Sequence, residues 1–462
     1  MALNESLRKE FIAILGEDSV FTNDADLLSY AYDSAVLEPK TPKIVLAPSN
    51  EEELGKTVRL AYENDLPITV RGSGTNLSGA TIPEKGDSAV ILTSKLNRIL
   101  EINENDLYAV VEPGVINARL FDAAMEKGLF YPPDPGSNQV STLGGNVALN
   151  AGGLRGLKYG VTKDYLMGLE FFDYQGQLVK TGSRTIKCVT GYNLAGLMLA
   201  SEGTLGVFSK LILKLLPPPA ASQAMMAIYK DVNTASQTVA AIIAAKILPS
   251  TLEFLDQKCI KTVEASSKIG LPTDAGAILL IEVDGNYGPG VQEDAEKVRA
   301  ICQKCGATGI KMAKDEAEKN SLWEARRNTL PSLARLRPTT VLEDATVPRS
   351  RVPEMVEAIE RMATKYNLEV GTFGHAGDGN LHPTILCDKR DRQEFSRVEA
   401  MIDEIFDVAI KLQGTLSGEH GIGIAKVKYM EKETNKATID FSKRLKKAID
   451  PKYLFNSQKI FP

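Results

Sequence analysis

Three histidines are the residues of this sequence best suited to chemistry. His375 and His382 lie seven positions apart in GHAGDGNLHP, and His420 follows Glu419 in SGEHGIG. The whole chain of 462 residues contains only these three histidines, and all of them stand in glycine-rich segments. Imidazoles titrate near neutral pH and serve as proton acceptors or as metal ligands. Their placement predicts a site for general base catalysis, for metal binding, or for both.

The spacing of His375 and His382 suits a β-hairpin. If Asp378 and Gly379 are the two central residues of a tight turn, His375 pairs directly with His382 across the strands. Directly paired side chains point to the same face, with Cβ atoms about 4.5 to 5.5 Å apart. Two imidazoles at this separation can bind one divalent ion. The flanking segments LEVGTF and PTILC read as strands, which supports the hairpin.

Glu419 and His420 are expected to have different roles. Adjacent side chains diverge when the backbone is extended, so these two are not expected to bind the same ion. Glu419 as a third, anionic ligand leaves the metal shell open to substrate, and His420 then serves as general base. The alternative is that the histidines only make hydrogen bonds in turns or in the core. The clustering of three histidines with an acid disfavours that alternative.

Glycine-rich segments in the first half of the chain predict a dinucleotide site. RGSGTNLSG begins at Arg71 and offers a run of backbone N–H groups for a diphosphate. It is not a Rossmann fingerprint, because Leu77 replaces the third glycine and residues 81–93 read as turn and strand. No Walker sequence follows. A single glycine loop is often only structural, but further tracts at 136–160 and 201–206 favour a long dinucleotide lying against a sheet.

The overall composition narrows the class of protein. Hydrophobic residues make up 43% and charged residues 24%, and the net charge is -5 without a long basic block, which argues against nucleic acid as a partner. No apolar run is long enough for a membrane span, and the N-terminal pattern is not that of a signal peptide. The five cysteines are scattered, and Cys302 and Cys305 fit an amphipathic helix better than a redox or metal site. We expect a cytoplasmic protein that binds small molecules.

The elements that position these residues fall into two domains and a C-terminal segment. The first part alternates helices and strands, with a helix around 4–15 and a capping box from Ser49 to Glu52 that opens another. Residues 131–160 read as one long loop. Three prolines at 217–219 mark a boundary, and the repeated β-α-β pattern beyond them predicts an antiparallel sheet with helices on one face. A long helix over 393–412 leads to the His420 loop. The predicted α+β fold has domains at 1–217, 218–412 and 413–462.

Seven segments resemble the FAD-linked oxidases and dehydrogenases of the vanillyl-alcohol-oxidase, or PCMH-type, fold. The resemblance is to the branch of glycolate oxidase FAD subunits and bacterial D-lactate dehydrogenases, and it covers nearly the whole chain. In chain order the segments are VRGSGTNLSGA, YPPDPGSNQVSTLGGNVALNAGG, GYNLAGLMLASEGTLGV, LEDATVPRSRVPEM, GHAGDGNLHP, SGEHGIG and LFNSQKIF. The resemblance implies a PCMH-type FAD-binding first domain, a substrate-binding cap, and a C-terminal segment that returns to the first domain.

The resemblance also implies which residues bind FAD. The group implied for the diphosphate is Arg71, Gly72, Ser73, Gly74, Thr75, Asn76 and Ser78. The group implied for flavin and ribose is Pro135, Ser137, Thr142, Gly145, Asn146, Asn150 and Gly152, and Glu202, Gly203 and Gly206 are implied for the adenine half. Asn456 is implied in the tail, which reads Asn-Ser-Gln-Lys where Asn-Pro-Gly-Lys is common. Some relatives attach FAD covalently through a histidine. No histidine precedes His375 in this sequence, so this kind of attachment is excluded and FAD is expected to be non-covalent.

For the substrate, the resemblance implies that His375, His382 and Glu419 hold a divalent metal (zinc, iron or manganese) and that His420 is the base. Arg326 resembles the arginine that clamps the substrate carboxylate, a task that suits a bidentate guanidinium. Arg327 and Arg349 are alternatives for the same task. In relatives that oxidise D-2-hydroxyglutarate, a lysine falls near Leu342 and an asparagine near Thr384. Their absence favours a monocarboxylate.

The implied reaction is oxidation of a small D-2-hydroxy acid, D-lactate or glycolate, to the 2-oxo acid, with hydride transfer to flavin N5. The sequence has no iron–sulfur motif and no Rossmann site for NAD, so electrons are expected to pass to a quinone, to oxygen, to an electron-transferring flavoprotein or to an iron–sulfur subunit. The alternatives are a D-2-hydroxyglutarate-type dehydrogenase, an FAD oxidase for another alcohol or phenol, a catalytically idle FAD-binding scaffold, and a metal-dependent hydrolase if no flavin is present.

Overall fold

The computed structural model describes residues 4–83 and 88–461, which divide into two compact units. The first unit contains Met1–Ala151, Val161–Pro218 and Glu419–Pro462, and the second contains Gly152–Gly160 and Pro219–Gly418. These units differ from the predicted domain ranges in three places. Pro218 belongs to the first unit rather than to the second. Gly152–Gly160 belongs to the second unit, and the chain returns to the first unit at Glu419. Residues 84–87, part of the turn predicted from the sequence, lie outside the described residues.

The described residues contain seventeen β-strands in three sheets. The strands of the first unit are β1 (Val20–Phe21), β2 (Ile44–Leu46), β3 (Ile68–Arg71), β4 (Ala89–Leu92), β5 (Ile99–Asn103), β6 (Tyr108–Val111), β7 (Leu166–Phe172), β8 (Leu178–Gly182) and β9 (Val207–Lys214). Those of the second unit are β10 (Ala221–Tyr229), β11 (Thr251–Asp256), β12 (Ala277–Gly285), β13 (Gly309–Met312), β14 (Thr339–Leu342), β15 (Ala345–Thr346), β16 (Glu369–His375) and β17 (Asn380–Cys387).

Sixteen α-helices accompany these strands in the described residues. They are α1 (Glu5–Leu15), α2 (Asp24–Leu28), α3 (Glu51–Glu63), α4 (Asn117–Met125), α5 (Leu143–Leu149), α6 (Gly156–Tyr159), α7 (Leu194–Met198), α8 (Val232–Ala244), α9 (Gln257–Ser267), α10 (Gly288–Lys304), α11 (Glu316–Arg327), α12 (Thr329–Leu333), α13 (Val352–Tyr366), α14 (Arg392–Lys411), α15 (Met430–Glu433) and α16 (Lys436–Ile449). The predicted helices around 4–15 and over 393–412 are confirmed as α1 and α14. None of the helices described has the length and hydropathy needed to cross a membrane.

The first unit is built on two sheets. In the first of them, β2, β4 and β3 are parallel, and β1 pairs antiparallel with β2 at the edge. All residues of β2 and β4 are buried, as is typical of parallel strands that are covered on both faces. The second sheet is antiparallel, with the order β5-β6-β9-β7-β8. Its core includes Leu143 and Val147 of α5.

Helix α3 begins one residue later than the capping box predicted. The side chain of Asn50 accepts a hydrogen bond from the Glu53 backbone N–H, with 3.0 Å between N and Oδ1. Glu53 in turn accepts from the backbone N–H and the hydroxyl of Ser49, at 2.7 and 2.8 Å. Asparagine is as good an N-cap as serine. The cap is therefore Asn50, and Glu53 rather than Glu52 completes the motif.

The segment at 131–160, predicted to be one long loop, contains the helices α5 and α6. Thr142 Oγ1 caps α5 by accepting from the Gly145 backbone N–H at 3.3 Å. The glycines of this helix replace side chains where the backbone approaches other chain segments. A Cβ at Gly144 would lie 2.6 Å from the side chain of Pro113. Close packing at these glycines removes the apolar periodicity by which a helix is recognised, so the sequence prediction was wrong here.

The second unit contains one antiparallel sheet with the order β13-β10-β12-β11-β16-β17-β14, and β15 pairs with β17. Helices α9, α11 and α12 pack on one face, where Trp323 and Leu333 join a core with Leu255 and Phe373. Helix α10 covers the other face at the end of β12, where a Cβ on Gly285 would lie 3.3 Å from Val291. The sheet is therefore covered by helices on both faces, rather than on one as predicted.

Candidate active site

The hairpin of β16 and β17 carries both His375 and His382, but its register differs from the predicted one. His375 is paired with Asn380, and His382 with Phe373. The connecting turn has four residues, 376–379, and is closed by the Gly379 backbone N–H, which donates to the His375 carbonyl at 3.1 Å. The predicted two-residue turn at Asp378 and Gly379 is therefore wrong.

Contacts outside the hairpin explain the longer turn. The Gly377 backbone N–H donates to the carbonyl of Leu252 on β11 at 3.1 Å. A Cβ at Gly379 would lie 2.1 Å from the carbonyl oxygen of Val347, so the backbone of this turn packs directly against another chain segment. Gly379 also has a φ of 85°, a conformation that favours glycine. Neighbouring backbone therefore sets the length of the turn.

The two histidines nevertheless share one face of the sheet. A register shift of two residues preserves the side of each residue, because side chains alternate with a period of two. His375 and His382 are diagonal neighbours, with ring centroids 5.2 Å apart and ring planes at 89°. Both side chains are buried, and their nearest ring nitrogens lie within 4.8 Å of each other. The prediction that His375 and His382 share a face of the sheet is therefore confirmed, although the two strands pair in a different register.

Glu253 and Arg326 complete a buried cluster around the histidines. Glu253 Oε1 lies 2.7 Å from His375 Nδ1, and Glu253 Oε2 accepts a hydrogen bond from Arg326 Nε at 2.5 Å. The Arg326 guanidinium lies over the ring of Phe373, 4.7 Å from the ring centroid, and the Phe373 ring is 5.4 Å from that of His382. Glu253 is not among the site residues predicted from the sequence. Its only signal is an acidic residue inside the apolar strand segment TLEFLD.

The electrostatics of the cluster keep Glu253 ionised. Burial by itself raises the pKa of Glu253, but the opposing effects of His375 and Arg326 bring it below the ordinary value. A carboxylate that is ionised can only accept hydrogen bonds, so His375 Nδ1 carries the proton in this contact. The other ring nitrogen, Nε2, is then the one with a lone pair suited to a metal ion.

The three arginines considered for the carboxylate clamp have different environments. Arg326 is buried on α11, whereas Arg327 and Arg349 are exposed. Among the described residues, the bond from Nε to Glu253 is the only hydrogen bond of the Arg326 guanidinium. Its two Nη groups therefore keep their donors for a ligand. This arrangement favours Arg326 over the two alternatives.

A further acid lies on the same side of the sheet. Asp344 is fully buried and accepts a hydrogen bond from the Ser417 hydroxyl at 2.8 Å. One of its carboxylate oxygens lies within 4.8 Å of a ring nitrogen of His382. Two imidazoles and nearby carboxylates are a donor set that suits zinc, iron or manganese. Two nitrogens bound to one tetrahedral zinc lie about 3.4 Å apart, which falls within the 4.8 Å that bounds the separation of the histidine nitrogens.

Glu419 and His420 belong to the first unit, and they directly follow Gly418, the last residue of the second. His420 is buried and Glu419 is partly buried. The loop that follows them is fixed by Glu202, whose carboxylate accepts from the backbone N–H groups of Ile422 and Gly423, both at 2.7 Å. Glu202 thus holds the backbone next to the proposed base, a role that the sequence analysis did not foresee.

The buried Glu202 carboxylate that accepts these two hydrogen bonds predicts that the stability of the protein depends on pH. Burial raises the pKa of Glu202 to about 7, from an ordinary value near 4.5, although the two backbone N–H groups lower it. The folded protein therefore binds a proton more tightly than the unfolded chain between these values, and the free energy of unfolding should fall as pH rises from about 5 to about 7. Urea unfolding of wild type and Glu202→Gln at pH 5, 6, 7 and 8 measures this. In Glu202→Gln, the free energy of unfolding should fall less steeply with pH than in wild type. The same dependence on pH in both proteins would contradict a raised pKa for Glu202.

The loop at 72–77 provides a run of backbone donors. Among the described residues, the N–H groups of Gly72 to Leu77 donate no hydrogen bond to protein. Side chains at both ends shape the loop instead. Arg71 Nη1 donates to the Tyr32 carbonyl at 2.7 Å, and Asn76 Oδ1 accepts from the Ala80 backbone N–H at 2.9 Å. Successive N–H groups left without protein acceptors suit the oxygens of a diphosphate, so this loop fits FAD.

Comparisons with known proteins identify the family of this chain. The family model "FAD binding domain" matches residues 42–182, and the model "FAD linked oxidases, C-terminal domain" matches residues 218–460. Over 459 residues the chain is 48% identical to the glycolate oxidase subunit GlcD of Bacillus subtilis, and the match covers 99% of this chain and 97% of that protein. The chain belongs to the FAD-linked oxidase family. A D-lactate dehydrogenase of Anaerostipes hadrus is 31% identical, with 93% and 91% of the two chains covered.

Solved structures confirm the fold class of this FAD-linked oxidase. The crystal structure of p-cresol methylhydroxylase with bound substrate has a TM-score of 0.81 at 17% identity, covering 98% of this chain and 95% of that chain. This likeness shows the fold alone. The predicted α+β architecture with a PCMH-type FAD-binding domain is confirmed, and so is the prediction of an FAD-dependent oxidoreductase.

Several residues predicted to bind FAD in this FAD-linked oxidase also hold its backbone in place. Ser73 Oγ donates to the Val140 carbonyl at 2.5 Å. Asn146 Nδ2 donates to Asn117 Oδ1 at 3.0 Å, and Asn150 Oδ1 accepts from the Lys163 backbone N–H at 2.9 Å. The other predicted contacts in the first unit are buried or partly buried: Gly72, Gly74, Thr75, Ser78, Pro135, Ser137, Thr142, Gly145, Gly203 and Gly206. Their contacts with FAD stay predictions.

Gly152 and Asn456 are the remaining predicted FAD residues. Gly152 lies in the segment that belongs to the second unit. Asn456 is buried, and both ends of its amide bind protein groups: Nδ2 donates to the Ala80 carbonyl at 2.9 Å, and Oδ1 accepts from Lys459 Nζ at 2.7 Å. This side chain ties the tail to the glycine loop, and its contact with FAD stays a prediction.

Proposed function

We propose that this FAD-linked oxidase oxidises a small D-2-hydroxy monocarboxylate, D-lactate or glycolate, to the 2-oxo acid. The observation that carries the proposal is the buried Arg326 beside two histidines on one face of a sheet. An arginine fork recognises a carboxylate, and imidazoles can bind a metal ion or a proton. The names of the relatives, a glycolate oxidase subunit and a D-lactate dehydrogenase, support this class of substrate.

In the proposed reaction, the Nη groups of Arg326 bind and orient the substrate carboxylate. His420 accepts the proton of the substrate hydroxyl as the carbonyl forms, as a general base. When bound, FAD supplies the acceptor for the two electrons that leave C2 with the hydrogen. Burial of these side chains excludes water and strengthens the interaction of Arg326 with the carboxylate. The protein thus supplies binding, orientation and proton transfer.

We propose that His375, His382 and Glu419 would hold a divalent metal. As a Lewis acid, such an ion would bind the hydroxyl oxygen and lower the pKa of the hydroxyl. The buried imidazole pair within 4.8 Å supports this ligand set. Asp344, close to His382, is a second carboxylate available on the same side of the sheet. The identity of the ion, zinc, iron or manganese, stays a prediction.

The pair Leu342 and Thr384 supports a monocarboxylate over D-2-hydroxyglutarate. The two residues are directly paired on β14 and β17, and Thr384 is two positions from His382 on the same strand. Side chains on one strand alternate in direction, so all three point to the same face of the sheet. Leu342 also packs against the apolar core of that face. A leucine and a threonine at these positions offer no positive charge to a second carboxylate.

The electron acceptor is proposed to be a partner protein, an electron-transferring flavoprotein or an iron–sulfur subunit, or else a quinone. The relatives named as glycolate oxidase subunits support a partner. The sequence itself has no iron–sulfur motif. The cytoplasmic location stays a prediction.

The direct test is anaerobic mixing of the FAD-loaded protein with D-lactate, L-lactate, glycolate and D-2-hydroxyglutarate, with the flavin absorbance recorded. We expect fast bleaching by D-lactate or glycolate and at least about tenfold slower bleaching by L-lactate and D-2-hydroxyglutarate, because a wrong configuration or an unpaired carboxylate costs more than about 1.4 kcal/mol. Bleaching by none of the four would reject the proposed function. Fastest bleaching by D-2-hydroxyglutarate would reject the monocarboxylate.

A further inference from the structure

Glu253 occupies an unusual position for a carboxylate. It lies within β11 in the eight-stranded sheet, where it is paired with Leu280 of the neighbouring strand β12. Its side chain is only 1% exposed. A buried charge destabilises a protein unless partners compensate it. Both carboxylate oxygens of Glu253 have such partners, one in Arg326 and the other in His375. These partners come from a helix and a different strand, so Glu253 links two elements of the second unit.

The two contacts of Glu253 have separate chemical consequences. Its bond to His375 Nδ1 selects the tautomer with the proton on Nδ1 and so leaves the lone pair on Nε2. Its bond to Arg326 Nε fixes the plane of the guanidinium and leaves both Nη groups for a ligand. Phe373 supports this arrangement, because its ring contacts the Arg326 guanidinium at 4.7 Å and the His382 ring at 5.4 Å.

We propose that Glu253 is a positioning residue that sets two parts of the site together: the metal-binding nitrogen of His375 and the carboxylate-binding edge of Arg326. The inference rests on the proposed function, since it assigns Glu253 to the same site. It adds that metal binding and substrate binding depend on one shared carboxylate. If Glu253 only neutralised the buried charge of its partners, its replacement would leave the metal affinity of the folded protein unchanged.

The test uses Glu253→Gln, which keeps the shape but cannot accept two hydrogen bonds with two oxygens. Its amide nitrogen is a donor, so one partner, His375 or Arg326, loses its acceptor. Loss of an outer carboxylate partner of a metal-binding histidine weakens metal affinity about 10- to 100-fold. We expect that loss for Zn²⁺ and Mn²⁺, measured by chelator competition on folded protein. We also expect the KM for D-lactate to rise about tenfold, because a charge-assisted hydrogen bond orients Arg326.

A second variant guards against a folding defect. Glu253→Gln combined with Arg326→Met removes both partners of the buried ion pair, which destabilises a protein less than leaving one charge alone. The double variant should keep the metal defect, whereas Arg326→Met alone should keep nearly the wild-type metal affinity. Asp284→Asn is the matched control. Asp284 is an acid of the same unit whose side chain is 6% exposed and whose carboxylate binds Lys158 and Tyr159 rather than a histidine, and this variant should bind metal as wild type does.

Nuclear magnetic resonance of histidine labelled with ¹⁵N provides a readout independent of activity. The chain contains three histidines, and His375→Gln assigns the signal. Wild-type protein without metal should show His375 protonated on Nδ1, and Glu253→Gln should shift this tautomer equilibrium. Unchanged tautomer and unchanged metal affinity in folded Glu253→Gln would overturn the proposal while leaving the proposed function intact. Wild-type protein without affinity for either ion would instead reject the proposed metal role and this inference with it.

Discussion

His420→Ala is expected to retain FAD and to lose about 10²- to 10⁴-fold in the rate of flavin reduction by D-lactate, the usual contribution of a positioned general base. Without the imidazole, the hydroxyl proton loses its positioned acceptor at the moment the C2 hydrogen leaves. Anaerobic stopped-flow absorbance measures this step separately from any later electron acceptor. The loss should appear in the limiting rate of reduction, with a smaller change in substrate affinity, because His420 is not proposed to bind the carboxylate.

Two controls make the His420 result interpretable. FAD content and the melting temperature should stay close to wild type, since Glu202 fixes the following loop through the backbone of Ile422 and Gly423 rather than through His420. Asp284→Asn should reduce flavin at the wild-type rate. A His420→Ala protein that holds FAD and is reduced by substrate within about threefold of wild type, far short of the general-base contribution, would reject the assignment of the base.

Arg326→Met is expected to lower kcat/KM for D-lactate by about 30-fold or more, because removal of one partner of a buried charge pair costs about 2 to 5 kcal/mol. Most of the loss should appear as a higher KM, since Arg326 is proposed to bind the carboxylate before and during the reaction. Arg326→Lys keeps the positive charge but loses the planar fork, so it should lie between wild type and Arg326→Met. Steady-state and stopped-flow measurements over a range of D-lactate concentrations give both quantities.

Arg327→Met is the matched control for Arg326→Met. Arg327 is next in the sequence on the same helix but is exposed. Its variant, and Arg349→Met, should keep kcat/KM within about twofold of wild type, as is typical of surface substitutions. A large loss in either of these variants, together with near-normal kinetics of Arg326→Met, would move the carboxylate clamp to that residue.

For the histidine hairpin, the strands and the shared face could be predicted from the sequence, but the register could not. The alternating strand patterns and the Asp-Gly step located the two strands and their turn, and His375 and His382 do share a face. The pairing itself was wrong by two residues, because the turn is fixed by Leu252 and Val347, which lie far away in the sequence. The prediction of a common face survived only because side-chain direction repeats every two residues.

The contacts of Glu253 with His375 and Arg326 could not be predicted from the sequence. It lies 122 positions from His375 and 73 from Arg326, and no local pattern connects the three. The strand TLEFLD reads as a buried element with an acid in it, but the partners of that acid follow only from the order of β11, β16 and α11 in the fold. Asp344 and Glu202 are similar cases, since each buried acid acts through backbone or side chains that the topology supplies.

Metal dependence of substrate oxidation is the most direct test of the central claim. The protein is treated with a chelator, its metal and FAD contents are measured, and D-lactate is added anaerobically before and after one equivalent of Zn²⁺, Mn²⁺ or Fe²⁺. We expect that metal-free protein keeps its FAD, that D-lactate reduces its flavin at least about 10²-fold more slowly, and that one of the three ions restores the rate. Metal-free protein whose flavin is reduced as fast as before treatment would contradict a role for the metal in substrate oxidation.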